Sequence, residues 1–263
     1  MIAGQGLHTG KPSVVRLAKR SGDVALLRDG RAIPLSAMRV VDTTRSTVIA
    51  DLEGHVRIGT VEHLFAALAA LGLHRGVAIE IDGAEPPLAD GGARVFLDAA
   101  RALDVAPSEA SLRVARDGDV SVGESVYAFR AGAGVAVEVA IDFGDARLDR
   151  VARWDGDPED FRVRIATART FGFEHEVEEL LARGLASHVS PESVVVIGRD
   201  RVLSSGAPFA ADEPARHKLL DLVGDMYVHG GPPRGFVRAI RPGHAATHEA
   251  VRRALAEGLL TRT

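Results

Sequence analysis

Short apolar runs separated by turn residues fill the first sixty positions. VVRLA (14–18), VALL (24–27) and STVIAD (46–51) are β-rich runs bounded by Gly, Asp and Ser clusters, which predicts strands. The pattern changes at Thr60. From there LFAALAAL predicts a helix, with Thr60 as N-cap and Glu62 in the first turn. A strand VAIEID (77–82), a Pro/Gly-rich loop GAEPPLADGGA and a second helix around Val95–Leu103 follow.

The polar, aperiodic stretch from Ala106 to Asp119 predicts a domain boundary, giving domains at 1–110 and 119–263. Beyond it, SVYAFR and VAVEVAIDF predict two strands joined by AGAG as a hairpin. A helix Glu213–Val228, a strand FVRAI (236–240) and a last helix His244–Leu260 complete the chain. Each half thus reads as strands, helix, strand, helix. The match of GVAIEID to GFVRAIR points to an internal repeat. The fold class is α+β.

Composition narrows the chemistry. The chain of 263 residues has ten histidines and no cysteine, so thiolate metal sites, cysteine nucleophiles and disulfides are excluded. Any metal site must use imidazole and carboxylate. A net charge of −4 and 5% aromatic content argue against nucleic acid as a partner. The start lacks a basic, then apolar, secretory leader. The longest apolar run, Leu64 to Leu71, is far short of the roughly 18–20 residues that span a bilayer. The expectation is a soluble cytoplasmic protein without stable membrane insertion.

The candidate chemistry gathers in three segments. In ARHKLLDLVGDMYV, His217, Asp221 and Asp225 stand at i, i+4 and i+8, within about 80° on one helix face. Leu219, Leu220, Val223, Met226 and Tyr227 take the opposite side. An ordinary solvated face is the bland alternative, but this stripe lacks the usual Glu/Lys/Gln mixture. In TVEH (60–63), Glu62 and His63 differ by about 100° around a helix, yet both can reach a centre at its mouth. In GHAATHEAV, His244 opens a helix whose dipole opposes imidazolium, so a charged His244 needs a carboxylate such as Asp225. Two imidazoles and a carboxylate with a nearby glutamate and histidine form a hydrolytic zinc set with its acid and base.

GLHTGKP (6–12), GTVEHLFAALAALG (59–72), ARTFGF (168–173), RHKLLDLVGD (216–225) and GHAATHEA (243–250) resemble the zinc-dependent UDP-3-O-acyl-N-acetylglucosamine deacetylases of lipid A synthesis. The resemblance covers nearly the whole chain. It implies His63, His217 and Asp221 as ligands of Zn2+, with Fe2+ a reasonable substitute at such a nitrogen and oxygen site. Glu62 becomes the general base. His244 stabilises the oxyanion and protonates the leaving amine, with Asp225 as its carboxylate partner. Thr170 polarises the amide carbonyl, Lys218 places a positive group near it, and Phe171 and His8 line the substrate cleft. The implied fold is two similar α/β sandwiches, each a sheet packed on helices, with the active site between them. A small β-α-β insert for the acyl chain falls near Phe173–Ile197. The substrate is a nucleotide-sugar lipid, and a monomer is expected.

Departures fall where substrate would be gripped. The family carries further residues, including a first strand, before GLHTG. Its Phe-x-His-Pro element reads Phe143-Gly144-Asp145-Ala146 here, its Gly-Gly-Ser turn reads His188-Val189-Ser190, and its Asp-Gly-Ser loop reads Asp90-Gly91-Gly92. They keep open a deacetylase of another acylated amino sugar, or a catalytically impaired metal-binding paralogue. Intact Glu62, Thr170 and His244 speak against the latter. His55, His74, His175 and His229 match no site motif and predict surface or packing roles. His188 and His248 fall near the substrate region without an assigned role. HEAVRR predicts a solvated basic face that could also meet a diphosphate.

Overall fold

The structure, a computed structural model, describes residues 1–177 and 189–263. The first half runs through strands β1 (Ile2–Gln5), β2 (Pro12–Asp23), β3 (Ala25–Arg28) and β4 (Arg31–Pro34). Strands β5 (Arg39–Asp42), β6 (Val48–Ala50) and β7 (Arg57–Ile58) form a small separate sheet. Helix α1 (Glu62–Ala70), strand β8 (Arg75–Asp82) and helix α2 (Arg94–Arg101) follow.

The second half begins with β9 (Leu112–Val114), β10 (Gly118–Val122), β11 (Ser125–Arg130), β12 (Val135–Ala140) and β13 (Val151–Trp154). Strands β14 (Thr170–Phe173), β15 (Val194–Ile197) and β16 (Val202–Leu203) make a second small sheet. Helix α3 (Glu213–Tyr227), β17 (Gly235–Ile240), helix α4 (His244–Ala256) and β18 (Leu260–Arg262) end the chain.

The two large sheets share one plan. Their orders are β1-β2-β8-β3-β4 and β10-β11-β17-β12-β13. In each, the strand between the two helices enters the centre, antiparallel to one neighbour and parallel to the other. β8 and β17 are thus equivalent strands, as the GVAIEID and GFVRAIR match predicts. The fold is α+β, with two such halves packed with helices.

Three expectations need correction. SVYAFR and VAVEVA do not pair as a hairpin, because β17 lies between them and bonds to both. β17 offers backbone donors and acceptors along both edges, so it outcompetes the local turn signal. The real hairpin is β10 with β11. Thr60 is not the N-cap: it adopts φ 50°, Val61 takes the cap position, and the Thr60 hydroxyl donates to Glu85 Oε2 (2.7 Å). A carboxylate acceptor makes a stronger bond than a backbone amide would. The last helix stops at Ala256, because Leu260–Arg262 pairs with β9.

β14 and β15 run parallel, as a β-α-β insert requires. Residues 178–188 of that insert, with His188, lie outside the described residues. Among the described residues, one continuous hydrophobic core runs through both large sheets and helices α1 to α4. In α1 every residue is buried, and Leu64, Phe65 and Leu68 each contribute roughly 1.5–3 kcal/mol by leaving water. An apolar helix of this kind must be covered on all sides, and α3 supplies part of the cover. None of the described helices is long and apolar enough to cross a membrane.

Candidate active site

The site forms where α1 meets α3. Gly224 sets how close they come: a Cβ there would lie 1.9 Å from the backbone oxygen of Glu62. Without a side chain at 224, the start of α1 rests on the face of α3 that carries His217, Asp221 and Asp225. Glu62, His63, His217, Asp221 and Asp225 are all buried, none above 6% exposed. The solvated-face alternative is excluded by that burial.

His63 turns toward Asp221 of the α3 stripe, whereas Glu62 turns away from it. His63 Nε2 lies 3.8 Å from Asp221 Oδ1, and His217 Nε2 lies 3.5 Å from the same oxygen. The ligand atoms of these three residues all fall within 4.8 Å of one another. Both imidazoles are oriented from behind: His63 Nδ1 meets the Gly92 carbonyl and His217 Nδ1 the Ala168 carbonyl, each at 3.0 Å. A carbonyl accepts, so Nδ1 carries the proton and Nε2 turns its lone pair toward Asp221.

Burial pushes His63 down to about 4 and also lowers His217, with Asp221 working the other way in both. Burial opposes the Asp221 carboxylate, but Lys218 and the surrounding histidines outweigh it and hold it well below the usual range. Lys218 Nζ donates to Asp221 Oδ2 (2.9 Å), which leaves Oδ1 facing the imidazoles. Two neutral imidazoles and an ionised carboxylate, converging from rigid helices, fit a divalent metal of the zinc type. Among the described residues Asp51, Glu53 and His55 form the other such group, but two of them are exposed.

Glu62 faces the opposite flank. Its Oε1 lies 3.9 Å from His244 Nε2, and its Oε2 accepts from the Thr47 N–H (3.0 Å). Burial lifts Glu62 to about 8, with His244 pulling the other way, a basicity matched to taking a proton near neutral pH. His244 opens α4, and its Nδ1 lies 2.9 Å from Asp225 Oδ2. Burial and the helix terminus disfavour its charge, yet Asp225 outweighs them and raises it to about 10. The carboxylate that this charged imidazole requires is present.

Around this core the remaining predicted residues are spread. Phe171 sits edge-on to His217 (centroids 6.0 Å apart, 83° between planes), with Lys218 5.8 Å over its ring. Thr170 opens β14 and its N–H donates to Gly91 (2.8 Å). Its neighbour Arg169 is buried in a two-pronged pair with Glu213 (2.8 and 3.1 Å), which ties β14 to the start of α3. His8 lies exposed in the loop after β1, within electrostatic reach of His63 and His244. Phe171, Phe143 and Phe173 meet edge to face at the border of a 520 Å³ cavity, whose lining includes Arg147, His175 and Arg199. Asp145, in the FGDA departure, is paired with Arg147 at this rim.

The bland expectations hold for His55, which is exposed beside Glu53 (3.1 Å), and for His74, which stacks on Tyr227. The basic face of HEAVRR is paired with its own Glu249. Sequence reading missed three groups. Glu85 gathers the Thr60 hydroxyl with the His8 N–H, the Thr9 N–H and the Thr9 hydroxyl, pinning GLHTG beside the site. Thr47 bridges Glu62 and Asp225, with its hydroxyl 2.6 Å from Asp225 Oδ1. His248 bonds the same hydroxyl (2.8 Å). Its spacing of four from His244, one turn along α4, was the signal available.

The model of the family "LpxC: UDP-3-O-acyl N-acetylglycosamine deacetylase" matches residues 1–256. UDP-3-O-acyl-N-acetylglucosamine deacetylases of Brucella melitensis biotype 2, Brucella ovis and Brucella abortus strain S19 are each 36% identical over 268 residues, covering 97% of this chain and 92% of theirs. A match of that extent shows that the chain belongs to the LpxC family of deacetylases.

Proposed function

We propose that this protein is a metal-dependent amidohydrolase that removes the N-acetyl group from a UDP-linked 3-O-acyl-N-acetylglucosamine. The observation that carries the reading is the convergence of His63, His217 and Asp221 on one point, flanked by Glu62 and the His244–Asp225 pair. The three residues would hold zinc, or iron(II), which when bound supplies a Lewis acid and a nucleophilic water at neutral pH.

This chain's residues supply the rest. Glu62 takes the proton of the attacking water. The Thr170 hydroxyl and the charged His244 face the oxygen on which negative charge grows, in a site poor in water. His244 then gives its Nε2 proton to the departing sugar amine, and acetate leaves. Asp225 keeps the imidazole charged and oriented throughout. Lys218 holds Asp221 and adds positive charge beside the reacting amide. Phe171 and His8 border the substrate, with residues 1–110 and 119–263 as the two domains that meet around it. The reading places the protein in the cytoplasm, as a monomer, on a lipid-linked nucleotide sugar.

The test is deacetylation of the UDP-linked precursor with and without chelator. Activity should vanish on chelation and return with zinc. Metal analysis should find about one equivalent, lost in His217→Ala. Failure of the untreated enzyme to release acetate would sink the reading. The Asp145–Arg147 pair at the cavity rim favours, as a second reading, another acylated amino sugar. Profiling UDP-sugars of different acyl length separates the two.

A further inference from the structure

Behind the acid lies a chain of polar groups whose outer members, Thr47, His248 and His229, the proposed chemistry does not use. Starting at His244, it passes through Asp225 to Thr47 and His248, and ends at half-buried His229. The links are short: Thr47 Oγ1 to Asp225 Oδ1 2.6 Å, Thr47 Oγ1 to His248 Nε2 2.8 Å, and His248 Nδ1 to His229 Nε2 2.8 Å. Thr47 is fully buried, and His248 nearly so. The elements that bring these groups together are distant in sequence: the turn before β6, the C-terminal end of α3 and the first turns of α4.

Proton counting fixes the direction of the chain. An ionised Asp225 can only accept, so the Thr47 hydroxyl donates to it. That hydroxyl's remaining capacity is to accept, which makes His248 Nε2 the donor. His248 Nδ1 is then a lone pair and accepts from His229 Nε2–H. Both imidazoles are neutral in this arrangement. Burial lowers both, His229 to about 4, while Asp225 works the other way. The charged groups that face the pair are Asp225 and His244 on the inner side. On the outer side Arg262 donates to the His229 carbonyl (2.8 Å).

We infer that His248, held by His229, is a positioning residue for the acid: through Thr47 it delivers a fixed hydrogen bond to Asp225 and so sets how Asp225 holds His244. This rests on the reading of His244 as proton donor. A donor on Oδ1 lowers the proton affinity of Asp225, so the shared proton stays on His244, where the leaving amine can take it. Because the Thr47 N–H also holds Glu62, one residue aligns the acid's partner and the base. Loss of His248 therefore misaligns chemistry rather than substrate binding.

The test uses zinc-loaded full-length protein. His248→Phe keeps ring volume and removes the donor, whereas His248→Gln returns an N–H near the Nε2 position. His248→Phe should lower kcat about tenfold with KM unchanged, and His248→Gln should recover most of it. The downfield proton resonance of His244 Nδ1–H should shift in His248→Phe and return in His248→Gln. Equal loss in both variants together with lowered Tm would make His248 a packing residue and overturn the inference. So would a folded His248→Phe with unchanged kcat and resonance. If the unsubstituted enzyme fails to deacetylate the precursor while the resonance still responds to His248, the functional reading fails and the hydrogen-bond chain stands.

Discussion

The two halves of the molecule have the same sheet, the same connections and the same order of helices, yet carry different chemistry. In the first half, α1 offers the site its first two residues, Glu62 and His63, and is apolar along the rest of its length. Its structural counterpart in the second half, α3, carries His217, Lys218, Asp221 and Asp225 along little more than two turns. The later helices differ as well. α2 begins with the exposed Arg94, whereas α4 begins with His244 at the site. A repeated scaffold therefore does not repeat its function. The reactive set arises at the contact between halves, because the first holds Glu62 and His63 while the second holds His217, Asp221 and the His244–Asp225 pair.

The largest effect that sharpens this contrast is expected at Glu62. Glu62→Gln should cut turnover about 10²–10⁴-fold with metal content retained, measured by steady-state kinetics and metal analysis. Thermal stability should hold or rise, because burial already disfavours the ionised carboxylate that the substitution removes. The pH profile follows from the same groups. Activity rises as Glu62 ionises, at or below about 8, and falls as His244 loses its proton near about 10. A rate profile flat from pH 6 to 10 would contradict that pairing.

Gly224→Ala tests the contact between the helices. Its Cβ cannot fit against Glu62, so separation of α1 and α3 should cost roughly 1–3 kcal/mol in chemical denaturation and reduce activity as well. Gly134→Ala, in the AGAG loop where nothing lies within 4 Å, should stay within about 0.5 kcal/mol. Equal costs at both positions would remove the special role of the crossing. The smallest effect belongs to α4's outer face. Arg252→Ala breaks an exposed pair with Glu249 and should change stability by about 0.5 kcal/mol or less and leave turnover unaltered.

Much of the site was legible along the chain because its parts sit on helices, where spacing maps onto a face. His217, Asp221 and Asp225 obey that rule, and the dipole argument for His244 led to Asp225. Thr47 and Glu85 were not legible. Each acts through bonds to residues far away in sequence, and a lone Thr just before a strand or a Glu in a loop carries no periodic mark. The hairpin error has a related cause. AGAG is a sound local turn signal, but strand pairing is settled by which edge offers the longer ladder, and β17 offered it on both sides.

Local pattern was sufficient for the four main helices and the longer strands beside them, the duplicated order of strands and helices, the absence of thiolate chemistry and the residue types of the metal set. These depend on neighbours within a few positions, where backbone geometry and side-chain period act directly. Packing decided the rest: which strand entered the centre of each sheet, that α3 is buried on its polar face too, and that Thr47 and His248 stand behind the acid. Those outcomes depend on contacts between distant segments, and their energies exist once two surfaces have met.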